Sequence, residues 1–287
     1  MITDDRTNYL YLADSLKKEE YSNFLEYFTN ELDAHNIPFN FLEGTKDIWA
    51  VDYMPVQIND NEFVQFVYNP DYLRKKSELR DTITDVDSVC RNFEINRKKS
   101  AILLDGGNII RSENRVIISN KVFKENPNIP EHILIRILEE TLEVEDIVFI
   151  PWEKNDFTGH ADGIVRFLDE YTVIINKYTI EKNFKDELIK VLKNSKLDYK
   201  EIPYNPYQNK NNDDAYGVYI NYLQMKDVIF LPIYGGKLSH SDDDAIEFMQ
   251  RLFPKVIPIE SNAIAKKGGV LNCITWNVKL GEEWKVL

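Results

Sequence analysis

Polar, glycine-containing segments recur along this chain about every 55 residues, and that period constrains the fold more than any other feature. They centre on Asp52, Asp105, His160, the stretch 216–221 and Cys273. Around each, the pattern reads helix, strand, polar turn, two strands. Five units of about 57 residues account for the whole chain. The predicted fold is therefore α/β: one domain over 1–287 with fivefold pseudo-symmetry, each unit sending one segment to a central axis. A doubly wound sheet is the competing architecture, but it would not by itself place polar motifs at an equal period.

Local patterns supply the elements. Tyr9–Ala13 and Phe39–Leu42 read as strands, and 15–34 as a helix with Tyr21, Phe24, Leu25, Phe28 and Leu32 on one face. Further helices are predicted over 81–94, 129–143, 182–195 and 242–252. The last would take its N-cap from Ser241-Asp-Asp-Asp, where hydroxyl and carboxylates meet free amides. The run GGVLNCITWN at 268–277 reads as an extended segment carrying Cys273. The polar run 208–214 reads as a surface loop, with a lid before the fourth segment as the sharper alternative.

Composition excludes several functions. A net charge of -13 argues against nucleic acid, which needs a basic footprint. No apolar run approaches the ~20 residues of a membrane span, and the N-terminus lacks the apolar core of a signal peptide. The two cysteines, Cys90 and Cys273, form no disulfide framework and no metal spacing, and the four histidines are dispersed. The expectation is a cytoplasmic protein without metal or cofactor, with homo-oligomerisation left open.

The chemistry-bearing residues sit on the recurring segments. Cys273, flanked by Gly268-Gly269 and by Asn272, Thr275 and Asn277, is the candidate nucleophile. Cys90, on the apolar face of a predicted helix, reads as core. His160 is the candidate acid/base; in an extended segment Asp162 would face the same way and raise its pKa. His160 in its cationic form would then stabilise the Cys273 thiolate. Asp52, Asp105 and Asp162 put three carboxylates on three turns, and Trp49 stands beside the first. Carboxylates with an aromatic face are how a planar guanidinium is held.

At these motifs the sequence resembles the agmatine deiminase and bacterial peptidyl-arginine deiminase family of the guanidino-modifying (pentein) superfamily. The pieces are W-x-x-D-x-x-P at 49–55, D-G-G at 105–107, G-H-x-D-x-x-x-R-F at 159–167 and G-G-x-x-N-C-I-T at 268–275, with YINYL at 219–223 and DDDAIEFMQRLFP at 242–254. The resemblance covers nearly the full length. It implies a five-bladed α/β propeller and a small cationic guanidino substrate, agmatine or an arginine-like compound. It also implies hydrolysis to a ureido product and ammonia through an amidino-cysteine, with no metal. Cys273 would be the nucleophile, His160 the acid/base, and Asp52 and Asp162 the guanidinium clamp. Trp49, Asp105, Arg166 and Asn221 would contact substrate. Two departures stand out. Val51 occupies a position where the family usually has Arg, and Lys266-Lys267 precede the Cys segment, where they would repel a free amine and attract a carboxylate. A catalytically weak guanidino-binding protein and an amidinotransferase are the alternative functions, with a cysteine protease a distant further one.

Overall fold

The computed structural model describes residues 1–281 apart from 75–76, 94, 155 and 207–213. Most of the predicted loop 208–214 therefore lies outside the described residues.

Fifteen strands are described: β1 (Tyr9–Ala13), β2 (Phe39–Leu42), β3 (Val56–Gln57), β4 (Glu62–Val67), β5 (Asn96–Leu103), β6 (Ile109–Arg111), β7 (Arg115–Ser119), β8 (Asp146–Ile150), β9 (Val165–Phe167), β10 (Thr172–Asn176), β11 (Asp198–Ile202), β12 (Leu223–Met225), β13 (Val228–Ile233), β14 (Lys255–Glu260) and β15 (Thr275–Val278). They form five three-stranded sheets: β15-β1-β2, β3-β4-β5, β6-β7-β8, β9-β10-β11 and β12-β13-β14. All five share one plan. The middle strand pairs antiparallel with one neighbour and parallel with the other. β1 (Tyr9–Ala13) pairs antiparallel with β15 (Thr275–Val278) and parallel with β2 (Phe39–Leu42), so the chain's last strand completes its first sheet. The middle strands β1, β7 (Arg115–Ser119), β10 (Thr172–Asn176) and β13 (Val228–Ile233) are nearly continuous apolar runs. That composition suits strands covered on both faces.

A parallel neighbour requires a crossover, and helices provide four of them. These are α1 (Ser22–Ala34), α2 (Glu131–Leu142), α3 (Lys182–Asn194) and α4 (Ser239–Gln250). Each buries an i, i+4 stripe, such as Phe24, Phe28 and Leu32 in α1 or Leu134, Leu138 and Leu142 in α2. Each such side chain contributes roughly 1.5–3 kcal/mol when fully buried. The crossover from β4 (Glu62–Val67) to β5 (Asn96–Leu103) differs. The helix predicted over 81–94 is only Val86–Val89 followed by a 3₁₀ turn, begun by Asp85, whose side chain accepts from Ser88 N.

Two other expectations are corrected. α4 starts at Ser239, so Ser241 lies inside it, and Asp242 caps nothing. Its carboxylate is buried and accepts instead from Tyr219 Oη, Tyr234 N and Gly235 N. Cys273 is not on a strand: residues 271–274 form a turn directly before β15. The same holds in every unit. A short turn precedes the first strand of each sheet: the helical turns Ala50–Tyr53, Gly106–Asn108 and Ala161–Gly163, the non-helical turns within 216–220, where Gly217 has φ +82, and the turn 271–274. Among the described residues no helix is long and apolar enough to cross a membrane.

Candidate active site

The five turns are hydrogen-bonded to one another in a closed ring. Gly107 N donates to Asp52 Oδ1 at 3.0 Å, and Ala161 N to Asn108 Oδ1 at 3.2 Å. Asn221 Nδ2 donates to Asp162 Oδ2 at 2.8 Å, and Cys273 N to Asn221 Oδ1 at 3.3 Å. Val51 N then donates to the Cys273 carbonyl at 3.3 Å and closes the circuit. The three bonds between neutral groups are each worth about 1 kcal/mol net, and those to Asp52 and Asp162 about 1.5–3 kcal/mol when the carboxylate is charged. Their larger effect is to fix five side chains, 50 or more residues apart in sequence, against one another.

Those side chains line one pocket. Its walls include Trp49, Asp52, His160, Asp162, Asn221 and Cys273, six of the eight residues singled out in the sequence. Gly107 lies beneath them. A Cβ there would stand 2.5 Å from Asp52 Oδ1, 3.0 Å from His160 Nδ1 and 3.2 Å from Asp162 Oδ2, so only glycine lets these three groups converge. Trp49 closes one side; a Cβ on Gly269 would lie 2.5 Å from its ring and 3.1 Å from Cys273 Cβ.

The nucleophile candidate is partly buried. Cys273 Sγ is 3.3 Å from Asn221 Oδ1 and 3.6 Å from Asp162 Oδ2. Asp162 Oδ2 also accepts from Asn272 Nδ2 at 2.8 Å. Burial, then the charges of Asp162 and Asp52, hold the Cys273 thiol well above its ordinary pKa. The expected stabilisation of its thiolate by His160 is not among the influences that set this pKa; burial first, and then the two carboxylates, favour the neutral thiol.

His160 is buried, and its ring is held by two carboxylates, though not by the one its own segment suggested. Nε2 lies 3.0 Å from Asp105 Oδ2 and Nδ1 3.4 Å from Asp52 Oδ1. The extended geometry assumed for 160–162 does not occur, because Ala161–Gly163 is a 3₁₀ turn that directs Asp162 to Asn221, Asn272 and Cys273. Burial alone would lower the His160 pKa, but Asp52, Asp105 and Asp162 together hold the imidazolium up to about 10. Asp52 is itself pushed well above the usual carboxylate range, by burial first and then by Asp105 and Asp162, with His160 opposing. Asp162 is raised too, chiefly by burial. With Asp52 and Asp162 both raised, the pocket would favour an added positive charge beside them.

Two expectations about substrate contact are corrected. Asp105 does not line the pocket; it stands behind His160 and bonds the imidazole. Arg166 lies on the strand side of the ring, donating to Asp4 Oδ2 at 2.6 Å and to the Tyr222 carbonyl at 2.8 Å. A cation belongs there rather than in a pocket of carboxylates. Val51 lines that same second cavity, with Arg111 and Arg166, so the missing family Arg concerns the far side of the ring. Lys266 and Lys267 are exposed and do not line the pocket; Lys267 Nζ pairs with Glu20 at 2.7 Å. The outer walls are Tyr72, Asp156, Phe157 and Asp214. Sequence reasoning gave none of them a role, although Asp214 ends the polar run 208–214 that it read as a surface loop or lid. Asp156 and Phe157 immediately precede the His160 motif, and that adjacency was the available signal.

The profile of the Porphyromonas-type peptidyl-arginine deiminase family matches residues 2–278. The chain belongs to that family. No curated protein matches it at the sequence level. Among solved structures it is similar to the C. jejuni agmatine deiminase, at 18% identity and a TM-score of 0.76, covering 98% of this chain and 96% of that one. It is also similar to the agmatine deiminase of Enterococcus faecalis, at 14% identity and TM-score 0.73, covering 98% and 95%. A third is SxtG, an amidinotransferase from Microseira wollei, at 13% identity and TM-score 0.63, covering 98% and 96%. These likenesses show the fold, an α/β fold shared with those structures over nearly the whole chain.

Proposed function

We propose that the protein is a deiminase that hydrolyses a guanidino group to a ureido group and ammonia. The observation that carries this is the convergence of Cys273 Sγ, Asp52, Asp162 and His160 on one pocket that no described Lys or Arg lines. The ring of turns likewise supports reading the five sheets as blades of one propeller domain.

The electrostatics supply the logic of the steps. A guanidinium bound between Asp52 and Asp162 donates its N–H groups to both and places a positive charge beside Cys273 Sγ. That charge stabilises the Cys273 thiolate, so the substrate itself promotes loss of the thiol proton, which passes to solvent because His160 is already protonated. The thiolate attacks the guanidinium carbon. His160, already cationic, gives its proton to one terminal nitrogen, which leaves as ammonia from the tetrahedral adduct. An amidino-cysteine remains. Neutral His160 then takes a proton from water as the oxygen bonds to the carbon; the C–S bond breaks to return the thiolate, and the hydroxyl proton of the adduct passes to solvent as the neutral urea is released. Trp49 packs on the planar group, and Asn221 holds both Cys273 and Asp162.

The outer wall bears on the substrate's other end. Asp156 and Asp214 add two carboxylates to Asp52 and Asp162, and neither lysine of 266–267 is present to oppose them. A guanidine ending in an amine, as in agmatine, fits that field better than free arginine with its carboxylate. The test is a ureido-product assay across agmatine, arginine and a blocked arginine peptide. Turnover should be greatest with the amine-ended compound and absent, by at least about 10⁴-fold, in Cys273→Ala. Undiminished turnover in that variant would sink the mechanism; preference for free arginine would sink the substrate assignment alone.

A further inference from the structure

Behind the pocket mouth lies a buried lysine that the chemistry above does not use. Lys121 is 3% exposed. It opens the short helix Lys121–Glu125, just past β7. Its Nζ donates to the Thr158 carbonyl at 2.5 Å and lies 3.3 Å from Asp71 Oδ1 and 3.0 Å from Glu125 Oε1. It also stands 5.7 Å from the centre of the Tyr72 ring. Burial would lower its pKa, but Glu125 and Asp71 more than compensate and keep it charged.

These partners belong to two separate stretches that share one job. Tyr72, beside Asp71, and Phe157, beside Thr158, form an aromatic wall of the Cys273 pocket. Their rings meet edge-on at 5.2 Å, and Tyr72 reaches the His160 ring at 6.3 Å. The lysine stem is built into the same corner. Gly159 has φ +64, and a Cβ there would come within 3.0 Å of Lys121 Cδ and 2.8 Å of the Trp152 ring. Ser119, two residues earlier, donates to the Gly159 carbonyl at 2.7 Å. So consecutive carbonyls, 158 and 159, are gripped from the end of β7 immediately before His160.

We propose that Lys121 is a positioning residue that ties the Asp71–Tyr72 stretch to the Phe157–Gly159 loop and thereby holds the aromatic wall closed over Cys273. Its ammonium touches both stretches through polar contacts, and the Tyr72–Phe157 ring contact joins them beside it. Removing it takes from the Thr158 carbonyl and Asp71 the donor they share.

The consequence for catalysis rests on the deiminase reading; the consequence for access does not. Cys273 alkylation by iodoacetamide, followed by mass spectrometry against pH, reads access from the plateau rate and thiol ionisation from the midpoint. In Lys121→Met the plateau rate should rise at least about fivefold, and KM for the guanidine should rise about tenfold while kcat falls less than about threefold. Asp71→Asn should move both in the same direction, and Lys121→Arg should restore them in part. An unchanged plateau in soluble, folded Lys121→Met protein overturns the proposal, as does a fall in kcat with KM unmoved. If wild-type protein turns over no guanidine, the deiminase reading fails while the alkylation result still decides the role of Lys121.

Discussion

At the scale of single residues, the site is governed by partners that sequence neighbours do not reveal. His160 sits two residues from Asp162, yet its ring bonds Asp105 and Asp52. Asp105 is thus a residue acting through the imidazole. Asp105→Asn keeps the shape and removes the charge, so the His160 pKa should fall below about 10. A kcat decrease on the order of a hundredfold is expected, because the neutral amide no longer holds a proton donor in place. Stability gives an independent measure. The imidazole's folded pKa is raised above its ordinary value of 6.5, so its contribution is fully present below that pH and is lost as pH rises through about 10. Urea midpoints between pH 6 and 10.5 should therefore fall in the wild type over that window. In Asp105→Asn the fall should be smaller and should end at lower pH, because only the folded pKa has moved. Identical pH dependence in the two proteins would remove Asp105 from this role.

At the scale of elements, the period was legible and the conformation at each period was not. The strands and the helices 131–142 and 182–194 follow from apolar alternation and i, i+4 stripes. Those patterns also place the polar segments at equal intervals. They do not distinguish an extended segment from a tight helical turn, since both interrupt an apolar run. The distinction matters because a helical turn presents a residue's backbone N–H and side chain to the same neighbour, as Cys273 N and Sγ both face Asn221 Oδ1. Asp242 shows the same limit. Beside Ser241 it looks like a cap, but it is a buried carboxylate that anchors the fourth turn through Tyr219 and the backbone at 234–235. Asp242→Ala would leave a hydroxyl and two amides buried without an acceptor, for an expected loss of about 3–5 kcal/mol. Urea denaturation measures this directly. Because Asn221 lies two residues from Tyr219, kcat should also fall in the fraction that remains folded. A loss under about 1 kcal/mol would mean that water replaces the carboxylate there.

At the scale of the whole molecule, a ring of units must be held shut on both sides. On the pocket side, hydrogen bonds between turns do this. On the strand side the task falls to Asp4, near the N-terminus. Its carboxylate bonds Arg166 of β9 (Val165–Phe167), Arg111 of β6 (Ile109–Arg111) and Asn277 of β15, and so ties three of the five sheets to one residue. Arg166 is 3% exposed and would be stranded without it. Burial would raise the Asp4 pKa, but Arg111 and Arg166 override it and hold the carboxyl at about 2, below its ordinary 3.8. A depressed pKa stabilises above the unfolded value and loses that contribution as pH falls through the folded one. Asp4→Ala should therefore destabilise the protein at pH 7 by about 2–4 kcal/mol, the lower part of the range allowing for an Asp4 side chain that is 18% exposed. The difference from wild type should shrink between pH 3.8 and about 2 as the carboxylate of the wild type is protonated. Chemical denaturation at pH 7 and across this acid window tests it. A difference that stays constant down to pH 2 would show that Asp4 acts by packing, and that the arginines on the strand side are held by something other than its charge.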